Sequence, residues 1–433
     1  MDRLPFLAFV VSIAVLSYAA GFFSYHERYW PATRLIDAYY AGEDLVLHWQ
    51  NDLGLAPTRL LVPAADAARP NAPRFAIDRV AEGNRFIAGL IPNRGSRTGA
   101  LLFDKMGQVL HYWPLDFSTL VPDGTSPNNV FLHGTVPMPD GSVIVSFDNG
   151  DVLARIGPCG ETVWKTRGNF HHQVSLADDG TLWLWEDRAS KQESDAGFNR
   201  EHIVQVDAAS GERLRMLSLD DEILARQGLY GRFAVHSEER GEYLKLCCDP
   251  FHPNMVKPLP AALAPAFPMF RAGDLMISLR SLNMVAVLDG RTAEVKWSQI
   301  GPWHRQHDPD FLPDGTISVL NNNMGLGGSR IDVVDPATGK VRVAFDGAVR
   351  GNFYTWRRGA HQWLGNGNVM IAETERGRAI EVAADGEIVW QYDNVFDAAR
   401  NGLVNEALVL PENYFVADAL SCPAPPAARG ASR

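Results

Sequence analysis

Four histidines of this 433-residue chain recur at the opening of one repeated pattern. His133, His172 and His307 each stand seven residues before the Asp of an Asp-Gly pair: Asp140-Gly141, Asp179-Gly180 and Asp314-Gly315. His252 opens a less regular copy whose turn is Gly273-Asp274. A further copy, Gly359 to Asn366-Gly367, carries its histidine two places later, as His361. A neutral imidazole is a nucleophile near neutral pH, and a protonated one is an acid. Asn254, two residues beyond His252, shares its strand face. Arg280 ends the strand that returns to the histidines. Imidazoles, an amide and a guanidinium suit an anion rich in oxygens, such as sulfate or phosphate, which arginine holds with two bonds. One histidine would attack the electrophilic sulfur or phosphorus and a second would protonate the leaving oxygen. Arg280 and Asn254 would hold the charge that builds on the transferred oxygens. Three imidazoles also suit zinc or copper, but no acid or thiol joins them at consistent spacing, so neither a metal nor another cofactor is expected. A lone histidine at a strand opening can equally cap a neighbouring carbonyl, so the argument rests on the set.

The elements that must position these groups follow from the same repeat. Each Asp-Gly or Asn-Gly is followed by a β-rich run such as Ser142-Val-Ile-Val-Ser or Thr181-Leu-Trp-Leu-Trp, which makes a hairpin. A second hairpin follows, as in 331–343 and 379–390, and four strands per unit is a propeller blade. Repeat starts near 75, 133, 172, 252, 307 and 359 predict an all-β, six-bladed β-propeller, with seven blades as the alternative. A last strand within 405–416 would close the ring. Seven strand residues span roughly 23 Å, so the opening residues and the turns lie at opposite faces and the histidines converge on one channel mouth. His361 should point into the channel slightly deeper. Counting six residues past each turn places Phe147, Glu186, Arg280, Asn321 and Glu373 near that mouth. Of these, Glu186 and Glu373 read as solvated strand ends, and Trp164, Trp297 and Trp390 as packing between blades.

The chain is 46% hydrophobic and carries a formal net charge of -11, which argues against a nucleic-acid partner. Leu4 to Phe23 is an uncharged run long enough to cross a bilayer as a helix. It reads as an uncleaved anchor with the body exported, a cleaved signal being the rival. The expected divisions are 1–30 cytoplasmic tip and anchor, 31–74 helix (from Thr33 to Leu47) and linker, 75–420 propeller, and 421–433 disordered tail. The four cysteines, at 159, 247, 248 and 422, do not indicate a redox compartment, and no feature sets the oligomeric state.

The order of motifs resembles the bacterial arylsulfotransferase family that needs no nucleotide sulfate donor. The matching pieces are His171-His172-Gln173, Phe251-His252-Pro-Asn254, Ser278-Leu-Arg280-Ser, Gln306-His307-Asp308 leading to Asp314-Gly315, and Leu364-Gly-Asn-Gly-Asn368 with Arg378-Ala-Ile-Glu. The resemblance spans about 80–415. It implies a six-bladed, exported propeller moving a sulfuryl group from an aryl sulfate to a phenol through a sulfohistidine. It further implies His307 as nucleophile, His252 and Asn254 as the His-x-Asn pair, Arg280 as the sulfate-binding arginine and His172 as another active-site histidine. His361 and His133 are the remaining expected substrate contacts. The expected setting is the inner membrane, crossed once, with the propeller in the periplasm or outside the cell. Two departures stand out: Gln173 replaces an acid common after the histidine pair, and a Pro/Ala-rich insert follows His252. The alternative from another class is a silent, membrane-tethered propeller that binds a ligand or acts as a scaffold.

Overall fold

In the computed structural model, the described residues are 3–26, 32–64, 73–92, 97–190, 199–227, 249, 251–350 and 353–422. They fall into two compact units, one holding residues up to Arg59 and the other the residues from Leu60 onward. In the first unit, helix α1 (Arg3–His26) is apolar along its length, and Pro5–His26 is long enough to cross a membrane. A signal sequence passes the same test. Helix α2 (Ala32–Asp52) runs five residues beyond the expected end at Leu47, because nothing in Leu47–Asp52 breaks a helix. After it, Arg59 folds back to pair with Asp44 at 2.6 Å.

The second unit is a six-bladed propeller of antiparallel sheets. Blade 2 comprises Phe131–Pro137, Val143–Asp148, Val152–Ile156 and Thr162–Arg167. Blade 3 comprises Asn169–Leu176, Thr181–Asp187, Glu201–Asp207 and Arg213–Ser218. Blade 4 comprises Pro253–Pro258, Leu275–Leu279, Met284–Leu288 and Val295–Ile300, and blade 5 His307–Phe311, Ile317–Asn321, Arg330–Val334 and Val341–Asp346. Blade 6 comprises Ala360–Trp363, Val369–Glu373, Arg378–Val382 and Ile388–Asp393. Blade 1 joins the two ends of the unit: Val404–Leu410 supplies its innermost strand, pairing with Asn84–Ile91 ahead of Arg97–Phe103 and Val109–Pro114. Closing the ring with the last strand leaves only short, protected edges. The expectation that a blade opens near residue 75 is corrected: Arg74–Phe75 adds a fifth, outermost strand to blade 6 by pairing with Gln391 and Trp390. It is too short and too exposed to be an inner strand.

The turns that defined the repeat form for a local reason. In each, the Asp or Asn side chain accepts the amide of the residue two places on: Asp140 from Ser142, Asp179 from Thr181, Asp314 from Thr316, Asn366 from Asn368. The glycine between them has φ near +80°, from +78° at Gly180 to +85° at Gly367, which side chains disfavour. The cores lie between blades. Trp390 sits fully buried among residues of blades 6 and 1, Trp297 packs with blades 4 and 5, and Trp164 with blades 2 and 3.

Candidate functional site

The inner strands carry the feature that aims side chains at the axis. Five of the six break register near their mouth end: between Leu132 and Gly134, His171 and Ser175, Pro253 and Met255, His307 and Asp310, and Val404 and Glu406. Such bulges turn a residue out of the strand's alternation. The skipped positions are His133, His172–Val174, Asn254, Asp308–Pro309 and Asn405. His172, His252 and Asp308 have positive φ, at 62°, 45° and 45°, a conformation that a non-glycine residue holds only when its surroundings enforce it.

The expected convergence is present for most of the set. The ring of His172 lies between those of His133 and His252, with centroids 4.5 Å and 5.1 Å away. The amide of Arg280 donates to the carbonyl of His252 at 3.0 Å, which brings the guanidinium strand to the same mouth. A narrow pocket is lined by His133, Gln173, Asn254, His307, Arg358 and Asn405. His361 does not line that pocket but meets the channel carboxylate Asp308, 3.2 Å from its Nδ1. It is buried between blades 5 and 6, with Nε2 2.8 Å from Ser318 Oγ and its backbone amide donating to Asp308. The expectation for the two glutamates is corrected: both are buried and paired with cations. Glu186 meets Arg213 at 2.7 Å, and Glu373 meets Arg378.

The histidines occupy two kinds of environment. His133, His171 and His252 each face a carboxylate: Asp148 at 2.5 Å, Glu201 at 2.9 Å, and Asp249, respectively. Burial would push His171 down, but the charge and hydrogen bond of Glu201 outweigh it and hold it at about 9. Among the described residues, no carboxylate pairs with the ring of His172. Burial, then the surrounding charge of His133, His171, His252 and His307, holds it well below the usual imidazole range. His307 is held low for the same two reasons, burial first and then the guanidinium of Arg280.

The tautomer of His307 follows from its neighbours. Asn322 gives its amide hydrogens to the carbonyls of Thr355 and Arg358, both at 2.7 Å, so its oxygen must face His307. That oxygen lies 2.7 Å from His307 Nδ1, and the Arg305 carbonyl lies 3.2 Å from the same nitrogen. Two acceptors at Nδ1 place the proton there and leave the lone pair on Nε2. Asn254 donates to the Gln306 carbonyl, and its oxygen has no partner among the described residues. What it presents unpaired is therefore an acceptor. Gln173 donates to Asp308 at 3.0 Å across the channel. An acid in its place would oppose that carboxylate. The Pro/Ala-rich insert leaves the inner strand of blade 4 at Pro258, away from the mouth, and Leu259, Phe267 and Phe270 pack into the core of blades 4 and 5.

Sequence reasoning missed Asp148, Glu201, Asp249, Asn322 and Arg358. Arg358 precedes Gly359 by one residue, just ahead of the opening position of blade 6. It packs 4.5 Å over the Phe131 ring with Glu375 only at 3.5 Å, and burial lowers its pKa. Aligning the sixth repeat one residue earlier would have found it. Asp148 is one residue beyond the expected column, whose member Phe147 is fully buried in the core.

His133, Asp148 and His172 bring three ligand atoms within 4.8 Å. However, Asp148 already joins His133 Nδ1 through one oxygen at 2.5 Å and the His172 amide through the other at 2.9 Å. Two ligands of one zinc would lie roughly 3.3 Å apart, so these contacts are those of a hydrogen-bonded pair.

No curated protein matches the chain significantly. Among solved structures, a protein of unknown function from Bacteroides caccae is 12% identical, with 75% of this chain and 98% of that one covered at a TM-score of 0.49. A functionally unknown protein from Desulfotomaculum acetoxidans is 10% identical, with 75% and 98% covered at 0.42. Virginiamycin B lyase from Staphylococcus aureus is 10% identical, with 60% and 69% covered at 0.35. Likenesses at this level carry no argument about function. Residues 134–395, more than half of the chain and all but the first blade and the edges of its neighbours, match the arylsulfotransferase (ASST) family; the chain belongs to that family.

Proposed function

We propose that the protein moves a sulfuryl group from an aryl sulfate to a phenolic acceptor through a sulfohistidine at His307. The observation that carries this reading is the lone pair left on His307 Nε2 by the acceptors at Nδ1, on a histidine that burial and Arg280 keep neutral. Nε2 attacks sulfur, the S–O bond to the aryl group breaks, and the leaving phenolate takes a proton from a neighbouring imidazole. Arg280 and Arg358 supply fixed positive charge for the sulfuryl oxygens. The unpaired oxygen of Asn254 suits the hydroxyl of an incoming phenol rather than the sulfuryl oxygens. His252, backed by Asp249, and His172 are the imidazoles placed for proton handling, and His133 completes the wall.

Helix α1 supports a single-pass anchor in the inner membrane with the propeller outside the cytoplasm. The disulfide between Cys159 and Cys422, with Cα atoms 5.5 Å apart, agrees with such a setting, because disulfides persist in oxidising compartments. The same bond holds the start of the expected 421–433 tail; residues 423–433 lie outside the described residues.

The test is turnover of a chromogenic aryl sulfate with a phenol, comparing the native protein with His307→Ala. Release of the chromophore that depends on the acceptor and falls at least about a thousandfold in the variant supports the reading. Equal release by both proteins, or none by the native protein across a panel of aryl sulfates, rejects it.

A further inference from the structure

Among the described residues at the mouth, one pair of imidazoles meets nitrogen to nitrogen. His171 Nδ1 lies 2.7 Å from His172 Nδ1, and His171 Nε2 lies 2.9 Å from Glu201 Oε2. The second oxygen of Glu201 accepts from Asn199 at 3.2 Å, and the residue is 3% exposed, so the carboxylate is fixed in place. Blade 3 supplies all of this. His171 and His172 lie on its inner strand, and Glu201 starts its third strand.

The proton positions follow from the chemistry of the contacts. A carboxylate only accepts, so His171 Nε2 carries a hydrogen. Between two imidazole nitrogens 2.7 Å apart there must be one proton, since two hydrogens would collide and two lone pairs would repel. Three states satisfy both conditions, and the one that places the cation on His172 is disfavoured by its burial and by the charges of His133, His252 and His307 around it, which leaves two. In the first, His171 is a cation that donates through Nδ1, and His172 is neutral with its hydrogen on Nε2. In the second, both rings are neutral, His172 donates through Nδ1, and its Nε2 carries a lone pair. The two states differ by one proton at His172 Nε2, the nitrogen left for the channel.

Resting on the reading of His307 as the sulfuryl carrier, we infer that Glu201, His171 and His172 form a proton relay in which His172 is the acid and base for the phenolic oxygens and His171 is its positioning residue and proton store. In the first half-reaction His307 Nε2 bonds to sulfur and the aryl oxygen leaves with the electron pair. That oxygen takes the proton from His172 Nε2, while His171 Nδ1–H passes to His172 Nδ1. The relay thereby loses one positive charge. In the second half-reaction the acceptor phenol gives its proton to His172 Nε2 as its oxygen attacks the sulfuryl group. The Nδ1 proton of His172 returns to His171, whose cation rests on Glu201. Protons and charge balance over the cycle, and no other reactant is required.

The surroundings favour the charged resting state. The acids acting on His171 are Glu201, Asp148 and Asp249, which hold it at about 9. His172 faces His133, His252, His307 and His171, with Asp148 bound to its backbone amide, and is held well below the usual imidazole range. The cation therefore settles on His171, and His172 rests as a neutral donor.

The relay predicts a dependence on the leaving group. For Glu201→Gln and His171→Gln, the loss in kcat/KM should be about tenfold with nitrophenyl sulfate. It should grow to a hundredfold or more with phenyl sulfate, whose leaving oxygen needs the proton more. Their acidic pH profiles should shift, while the sulfohistidine still forms from nitrophenyl sulfate. A loss of one size across the series, or none, overturns the relay. A second readout needs no turnover: 15N spectra of histidine-labelled full-length protein in detergent. They should show the hydrogen of His172 on Nε2 in the native protein and a displaced His171–His172 proton in Glu201→Gln. Identical imidazole spectra in the two proteins overturn the relay even where no aryl sulfate reacts. A native protein that turns over no substrate but shows the displaced proton would sink the sulfuryl reading and keep the relay.

Discussion

Two buried polar clusters of the propeller use charge in opposite ways. At the seam between blades 6 and 1, Arg85 and Glu381 pair at 2.8 Å with both side chains fully buried. Arg85 also donates to the carbonyls of Gly83 and Ala81, and Glu381 accepts from the Ala81 amide and the Asn368 side chain. Each charge meets its opposite and the cluster holds the ring closed. At the channel mouth, carboxylates face the rings of His133, His171 and His252. His172 and His307 are instead kept neutral among cations, and the Asn254 oxygen is left without a partner among the described residues. Burial of opposite charges together serves closure. Burial of neutral imidazoles beside cations prepares a nucleophile and a proton donor, and such perturbed groups gather at functional sites.

Breaking each cluster should therefore give different losses. Glu381→Ala leaves the Arg85 charge buried and unpaired, and should destabilise the propeller by about 3–5 kcal/mol, measured by denaturant unfolding. Activity per folded molecule should remain near native; a selective loss of activity with native stability would merge the two clusters into one. At the mouth, Asn322→Leu frees His307 to place its proton on Nε2. The expected cost is on the order of a hundredfold in kcat, about 2.7 kcal/mol, measured by steady-state turnover of folded protein. Arg280→Lys keeps the charge but loses the two-bond geometry. Its expected effect is a roughly tenfold rise in KM for the aryl sulfate with stability unchanged; an unaltered KM would remove Arg280 from the sulfate site.

The smallest effect concerns pH. The folded pKa of His171, about 9, lies above its unfolded value near 6.5. Its contribution to stability is therefore complete below about 6.5 and is lost as pH rises through 9. Thermal unfolding of His171→Gln should show a flatter decline than the native protein between those limits. Parallel curves would contradict the Glu201 pairing.

The difference between the clusters also explains what the sequence disclosed. Blade count, ring closure and the gathering of His133, His172, His252, His307 and Arg280 follow from turn spacing and strand length, because Asx-Gly turns and period-two alternation are local properties. The carboxylates were not legible. Asp148, Glu201 and Asp249 reach the imidazoles from a second strand, a third strand and a loop, and the inner-strand register breaks that bring them together, of one residue in blade 2 and two in blade 3, are not revealed by a count along the chain. His361 lies outside the pocket that His133 and His307 line, since blade 6 has no register break in its inner strand to turn it there. Arg358 was hidden by an offset of one residue. The Cys159–Cys422 bond joins residues 263 positions apart, a pairing set only by the closed ring.

The central claim is that His307 carries the sulfuryl group. The direct measurement is peptide mass spectrometry after mixing the protein with nitrophenyl sulfate in the absence of an acceptor, with an alkaline quench. The account predicts one sulfuryl group on the peptide holding His307, discharged by added phenol and absent from His307→Ala. Turnover with no modified histidine, or with the group on His172 or His252 instead, would contradict it.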